Sequence, residues 1–358
     1  IPVAGNQVRV DYLTCSGPEA DGATIFSTTI VLDGESSEDY LLDAVVTVNN
    51  SAGGSYKESI ESIRQNAPFL YASQNRMVTA VDYGALVLRE FDNIISDIAS
   101  WGGEDNIIPE YGVVYLSVLF NEGITEATAD KAKIDITVLA SHLSVMSFDV
   151  KFDDPIITYL ETGISFDFNS SLTDTPLGTI QTDVKNASGT YFQENLGKFR
   201  QSFRLSNLLS AVDDVSTAVL SSSATIKMQQ RITPVLSFNN NFNIRYPVAI
   251  KTPDDVNYII SSGTFLYNNS VCTIKNKLNE TILQVINDEN GIEVDDVGVY
   301  EPTTGKISLI AFAPQGILGG QSQLKISAVP ANPNTIRPEN NNVILQDFDA
   351  SFAKGTVV

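Results

Sequence analysis

No apolar run in this sequence is longer than a single strand, and that limits what the chain can build. The densest run, Val113 to Phe120, falls far short of the ~20 apolar residues of a membrane-crossing helix. Between the short runs stand clusters of Gly, Pro, Asn and Asp, the residues that turn a chain. A chain written this way must build its core from many short elements brought together over long sequence distances. Two hydrophobic periods share the work. Val8, Val10 and Tyr12 alternate with Arg9 and Asp11, the period of a half-buried strand. Ala132, Ile136, Leu139 and Leu143 recur at helical spacing.

These periods divide the chain into five stretches. Residues 1–57 read as a β-rich segment, with runs at Ile25–Leu32 and Leu41–Val48, closed by the loop Ser51–Ser55. Residues 58–92 read as a helical segment: Ile60, Ile63 and Ala67 share a face until Pro68 stops the helix. A second helix starts at Thr79, with Asp82 near the positive end of its dipole, and Ala85, Leu86 and Phe91 are expected on its buried side. Residues 93–152 read as a first α/β unit: strands Ile94–Trp101 and Tyr111–Phe120, a helix from Glu126 to Leu143, and a return to strand by Phe152. Residues 153–232 read as a second. Its expected strands are Ile156–Leu160, Ile164–Phe168 and Ala224–Gln230, with short helices at Tyr191–Phe199 and Ser206–Val212, the latter capped by Ser206. Both units suggest small α/β sandwiches, a sheet with helices on one face. From 233 to 358 turns recur every dozen or so residues, which predicts a β-rich C-terminal domain ending in an extended polar tail. The fold class is therefore α+β and multidomain.

The chain has 358 residues, 43 of them acidic against 22 Lys and Arg, for a formal charge of -21. Such a surface repels phosphate backbones and anionic lipid, so neither nucleic acid nor a membrane is an expected partner. Hydrophobic residues at 43% are too many for a disordered chain. Cys15 and Cys272, far apart in sequence, read as reduced thiols; the rival reading is one disulfide in an oxidising compartment. The first residue is Ile1 rather than Met, which reads as a fragment lacking an N-terminal part.

Catalytic chemistry finds little material. His142 is the sole histidine, so a Ser-His-Asp or Cys-His centre would have to use it. One His and two Cys cannot furnish a zinc site of the usual kind. The acidic pairs Asp153-Asp154, Asp213-Asp214, Asp254-Asp255 and Asp295-Asp296 read as turn and cap residues. Asp288-Glu289-Asn290-Gly291 lacks calcium-loop spacing, and Gly102-Gly103 lacks the lysine of a phosphate loop. No catalytic residue, cofactor site or metal site is expected, and the chain reads as a non-enzyme.

The stretch Glu58 to Val118 carries a more specific signal. Ile63, Arg64, Ala67 and Pro68 are followed by Asn75, Arg76, Val78, Thr79, Asp82 and Tyr83, and then by Tyr111, Gly112 and Val114. This ordered set resembles the baseplate J-like family of contractile-tailed phages, which carries an I-R-x-x-A-P helix, an N-R-x-V-T-x-x-D-Y segment and a Y-G-x-V strand. Residues 144–232 look like that family's second α/β unit. The β extension from 233 onward is similar to that of the large baseplate wedge proteins of T-even-like phages.

The resemblance implies a structural subunit of a tail baseplate wedge that pairs with itself. It joins neighbouring wedges into an inner ring around the hub and rearranges on contraction. The implied partners are a second copy, a small sheath-initiating wedge protein and a clamp-like wedge subunit. The implied location is the virion tail baseplate, after assembly in the host cytoplasm. Arg64, Pro68, Asn75, Arg76, Thr79, Asp82, Tyr83 and Gly112 are then motif residues with structural roles. Arg76 is expected to pair with a carboxylate such as Asp82, and Tyr83 to lie in the core. The alternative is a host-surface or carbohydrate-binding tail module, which the Asn-rich C-terminal part with Tyr246, Tyr258 and Tyr267 permits.

Overall fold

The computed structural model describes residues 74–358, except 107, 122, 145–147, 288–290, 321 and 339–340, with isolated positions between 19 and 71. The strand expected at residues 8–12 and most of the run 41–48 lie outside the described residues. What is described there includes an antiparallel pair, β1 (Val31–Leu32) with β2 (Tyr40–Leu41). Helical positions include Arg64, Pro68 and, beyond the proline, Tyr71. Helical positions thus lie on both sides of Pro68, where the sequence reading placed the end of the helix.

The fold is multidomain α+β and mostly β. The chain divides into two compact units, one of residues Ile1–Tyr115 and Leu119–Lys151, the other of Leu116–Val118 and Phe152–Val358. The first unit has helix α1 (Ala80–Glu90) and helix α2 (Glu126–Leu143) with a three-stranded sheet. The strands are β3 (Ile95–Gly102), β4 (Val113–Phe120) and β5 (Asp149–Phe152), in that spatial order. The expected helix, from about Glu126 to Leu143, is observed as α2. Its buried face is Ala132, Ile136 and Ala140, while Leu139 and Leu143 are only half-buried. On α1 the buried residues are Tyr83, Gly84, Leu86 and Val87; Ala85 and Phe91 reach the core only partly. Gly84 lets α1 approach the sheet, since a Cβ there would stand 2.7 Å from Ser100 Oγ.

The second unit is built on one mixed sheet of 13 strands. Its long centre pairs β6 (Ile156–Phe168) antiparallel with β8 (Val219–Ile232). Two strands were expected within β6; Glu161, Thr162 and Gly163 continue the ladder instead, opposite Lys227, Ile226 and Thr225. Next come β17 (Leu324–Ala328), β10 (Ile260–Ser262), β12 (Ser270–Asn276) and β13 (Ile282–Asn287). The series ends with β14 (Gly291–Glu301), β15 (Lys306–Phe312) and β9 (Asn240–Arg245). Short strands β11 (Phe265–Tyr267) and β16 (Gly316–Ile317) extend from β12. The sequence boundary at 233 therefore does not separate two sheets, because β8 and β17 share a ladder from Met228–Ala328 to Ile232–Leu324.

Residues past 340 form β19 (Asn342–Gln346) and β20 (Phe352–Val357), both parallel to β6 along the same edge. The polar tail is extended, and its extended backbone is spent on the sheet. Two helices cover β6 and β8: α3 (Leu177–Asn195) and α4 (Leu205–Asp213). Strand β7 (Phe203–Arg204) lies between them in sequence, and its pairing with β18 (Thr335–Ile336) fixes where α4 begins. The cap position of α4 is accordingly Arg204, without a side-chain cap, rather than Ser206, and Leu205 N–H donates to Asn334 O at 3.0 Å. Helix α3 starts well before the expected Tyr191. Its buried stripe is Ile180, Val184, Ser188, Tyr191 and Phe192, and it stops at Asn195, before Gly197 with φ +99°.

The core of this unit joins Tyr191, Phe192, Leu208 and Phe203 to Leu160, Ile226, Met228 and Ile344. It continues without a break into Tyr246, Phe265, Ile307 and Phe312. The sheet must curl to do this. The buried hydroxyl of Tyr246, just past β9, donates to Ile326 O on β17 at 2.6 Å, and Ile250 bridges Pro330.

Candidate functional site

The motif residues divide into a helix start, a left-handed turn and a core contact. Thr79 caps α1: its Oγ1 accepts from Asp82 N–H at 3.4 Å, and Asp82 Oδ2 accepts from Thr79 N–H at 2.8 Å and Val78 N–H at 3.2 Å. This reciprocal box satisfies donors that a helix N-terminus otherwise leaves orphaned. It also turns the Asp82 carboxylate toward the helix start, and the expected Arg76–Asp82 pair does not form. Arg76 Nη2 donates to Gln74 Oε1 at 3.1 Å on the surface. Asn75 has φ +60°, a conformation that asparagine tolerates better than most side chains. Its Oδ1 accepts from Arg89 Nη1 at 2.6 Å, which ties the turn to the last turn of α1. Tyr83 is fully buried and its hydroxyl meets Ser144 Oγ at 2.8 Å, at the C-terminal end of α2. Met77, also fully buried, donates its N–H to Leu143 O at 3.0 Å. The segment 75–83 therefore knits α1 to α2.

Gly112 sits at φ +78° in the turn before β4 and accepts from Asp149 N–H at 3.0 Å. Beside it, Glu110 accepts from the hydroxyl of Tyr115 at 2.5 Å and from Lys151 Nζ. Those hydrogen bonds, that of Lys151 first, hold the Glu110 carboxyl below its ordinary range. Tyr115 also stacks on Trp101, whose Nε1 donates to Asn106 in the glycine-rich turn. Arg64 and Pro68 are exposed helical positions. Tyr111 is exposed as well.

The second unit holds a polar cluster that no sequence motif announced. Asp347, in the turn between β19 and β20, is buried, and its Oδ2 accepts from Lys325 Nζ at 2.6 Å, Gln229 Nε2 at 2.9 Å and Arg231 Nη2 at 3.3 Å. Gln229 Nε2 also donates to Glu161 Oε1 at 2.6 Å, which takes Ser327 Oγ at 2.5 Å. Arg231 lies over the Tyr159 ring, 3.6 Å from its centroid. Burial pushes the Asp347 carboxyl up, but the bonds from Lys325 and Gln229 outweigh it and leave the group below the usual carboxylate range. The cluster joins β6, β8, β17 and the C-terminal turn. Residues 161, 229, 327 and 347 are brought together only by strand register, so the sequence held no local signal for it.

At least one member of each acidic pair binds a donor of its own unit. Asp254 accepts from Val256 N–H, Asn257 N–H and Lys251, bonds that hold its carboxyl far below the ordinary range, that from Asn257 first. Asp213 takes Ser222 Oγ, Asp295 pairs with Lys277, Asp296 caps Gly298 N–H and Asp153 takes Asn341. His142 is an exposed helix residue. Among the described residues no group of three His, Cys, Asp or Glu side chains is arranged to hold a metal ion. Asp288, Glu289, Asn290 and Cys15 lie outside the described residues; Cys272 is buried, with its Sγ 3.9 Å from Tyr267 O.

The described polar groups are tied into helix caps, turns and a buried cluster, and the proteins that this chain is similar to are of one class, structural proteins of a phage tail baseplate. Residues 79–145 match the family model of the baseplate structural protein gp6, C-terminal domain I, and residues 157–231 match that of its C-terminal domain III. The first match opens at Thr79, the cap of α1, and the second runs from β6 to β8. Neither of these is the J-like family model. Among curated proteins, the chain is 23% identical over 313 residues to the baseplate wedge protein gp6 of Enterobacteria phage T4. The alignment covers 82% of this chain and 41% of that relative, so the chain spans less than half of the relative's length. A chain in the cryo-EM structure of the anti-feeding prophage (AFP) baseplate, 6-fold symmetrised, is similar over 52% of this chain and 43% of its own length. There the identity is 13% and the TM-score 0.34, too low to establish a shared fold.

Proposed function

We propose that this chain is part of a structural subunit of a contractile phage tail baseplate wedge, and that it acts through protein contact rather than catalysis. The observation that supports this most is the pair of matches to two different domains of one baseplate protein, in order along the chain. The two matched stretches fall largely on different compact units, 79–145 on the first and 157–231 on the second. In this reading the subunit pairs with itself, joins neighbouring wedges into an inner ring around the hub and shifts when the tail contracts. A small sheath-initiating wedge protein and a clamp-like wedge subunit are its other partners, and its place is the virion baseplate after assembly in the host cytoplasm. The link to the J-like family rests on Arg64, Pro68, Asn75, Arg76, Thr79, Asp82, Tyr83 and Gly112.

Immunogold labelling of purified contractile-tailed particles with antibody to this chain tests the location: label at the distal end of the tail is expected, and label on heads or on none of the particles overturns it. Light scattering tests self-pairing. A mass of two chains is expected at about 10 μM, in the ordinary range of specific protein pairs; one chain at every concentration rejects the pairing.

A further inference from the structure

Acidic residues are spread through most of this chain, yet no Asp or Glu occurs between Asp214 and Asp254, nor between Glu301 and Glu339. The fold brings parts of both acid-free stretches together at the end of the sheet, where, among the described residues, β9 pairs only with β15. Arg245 lies directly opposite Lys306 in that ladder. Two like charges side by side on a sheet face cost stability rather than adding it. Among the described residues neither forms a salt bridge. Glu301, the neighbour of Lys306 on β14, takes the hydroxyl of Thr304 instead.

Among the described residues no strand pairs with the outer side of β9. Tyr246 N–H donates to Gly305 O, so by antiparallel alternation Ile244 and Phe242 direct their backbone groups to β15. Asn241, Asn243 and Arg245 therefore present theirs at the free edge, and all three are exposed. Their side chains do not blunt it: Asn241 Oδ1 accepts from Ala311 N–H and Asn243 Oδ1 accepts from Ser308 Oγ, both toward β15. Beside the edge stands an apolar tip. Val235, Leu236 and Phe238 are exposed in the loop leading into β9, as is Ile310 on β15. Asn240 fixes that loop by donating to Val235 O, Phe238 O and Phe312 O.

We propose that β9 is a docking edge for an extended acidic segment of a partner protein, which adds as a further strand and lays carboxylates against Arg245 and Lys306. An exposed ladder supplies the main-chain bonds, the apolar tip supplies buried area, and the cation pair selects for negative side chains. On a chain of charge -21 a local patch poor in carboxylates, with Glu301 beside it engaged by Thr304, is where an acidic segment meets least repulsion. The proposal stands apart from the baseplate reading, because it is measured on the isolated chain and does not change with the outcome of particle labelling.

The probe is a fluorescein-labelled peptide of alternating Glu and Val, about ten residues long to match a strand. Anisotropy titration of the 358-residue chain is expected to saturate below about 1 mM. The same peptide N-methylated at alternate residues, or with Lys in place of Glu, is expected to bind roughly tenfold or more weakly. On the protein side, Asn243→Pro removes an outward N–H and spares the ladder to β15, and Arg245→Glu with Lys306→Glu reverses the cations; each is expected to weaken binding at least about tenfold. Circular dichroism melts show that the variants fold, and the charge reversal alone decides the matter if Asn243→Pro does not. No saturation by the acidic peptide, equal binding to the reversed variant, or tighter binding of a single-stranded oligonucleotide overturns the proposal. So does self-association lost in Asn243→Pro without any peptide binding, which would assign the edge to a second copy.

Discussion

At Asp347 a carboxylate 4% exposed accepts from two cations that are themselves only 20% and 27% exposed. Replacing it with Asn leaves Lys325 and Arg231 facing each other without an anion. Breaking such a buried pair costs about 3–5 kcal/mol, and the partial exposure of both cations lowers the expectation to roughly 2–3 kcal/mol. The carboxyl titrates below its unfolded value, so its contribution is present above about pH 4 and is lost as pH falls through the folded value. Urea unfolding should therefore show a clear gap between wild type and Asp347→Asn at neutral pH that closes in acid. The motif offers a contrast. Thr79→Ala removes a cap and should cost about 1 kcal/mol. Arg76→Ala removes one exposed bond to Gln74 and should stay within about 0.5 kcal/mol. A larger loss at Arg76 than at Thr79 in the same melts would contradict the roles assigned to them. The sequence placed Thr79 and Asp82 correctly because capping is a local geometry. It misplaced Arg76 because a sequence does not show which way an exposed side chain turns: Asp82 faces the backbone N–H groups of its own helix start, and Arg76 meets Gln74.

Elements of regular period were legible and elements held by distant contacts were not. Helix α2 carries its own N-cap Thr125 and a clear apolar stripe, and it was readable from the sequence. Helix α3 is rich in Gly, Thr, Ser and Asn, poor helix formers, so only its aromatic end looked helical. What holds the rest is tertiary: Ile180 and Val184 pack on Ile164, Phe166 and Val219. The irregularity between β13 and β14 makes a similar point. Gly298 there has φ +152°, and a Cβ would fall 2.0 Å from Ser308 O, a backbone atom that cannot swing away. Gly298→Ala should cost more than about 2 kcal/mol, read as a lower urea midpoint with an unchanged slope.

For the molecule as a whole, the C-terminal strands are structural rather than ornamental. Deleting residues 341–358 removes the buried Val343 and Ile344, the Asp347 cluster and the strands that cover the edge of β6. Each buried aliphatic side chain contributes about 1.5–3 kcal/mol, so with the cluster the loss approaches the whole stability of an ordinary domain, about 5–15 kcal/mol. Loss of cooperative unfolding, or a melting temperature lower by about 10 °C or more, is expected in calorimetry. Net charge sets a second global property. At -21, copies of this chain repel, so the self-pairing proposed above should tighten as salt is raised from about 0.01 to 0.15 M. Sedimentation that shows weaker pairing with salt would instead mean that the contact is made of opposite charges.

The order of amino acids alone determined the chemistry of this protein: its periods, its capped helices, its turns, its acidity and the poverty of its catalytic side chains. Each of these is set by residues within a few positions of one another, or by simple sums. Only the tertiary structure decided that residues on either side of 233 share one sheet, that the polar tail runs parallel to β6, and that Asp347 meets Lys325 and Arg231. Those outcomes depend on strand register over more than a hundred residues, where no local preference reaches and only the fit of the whole core selects the pairing.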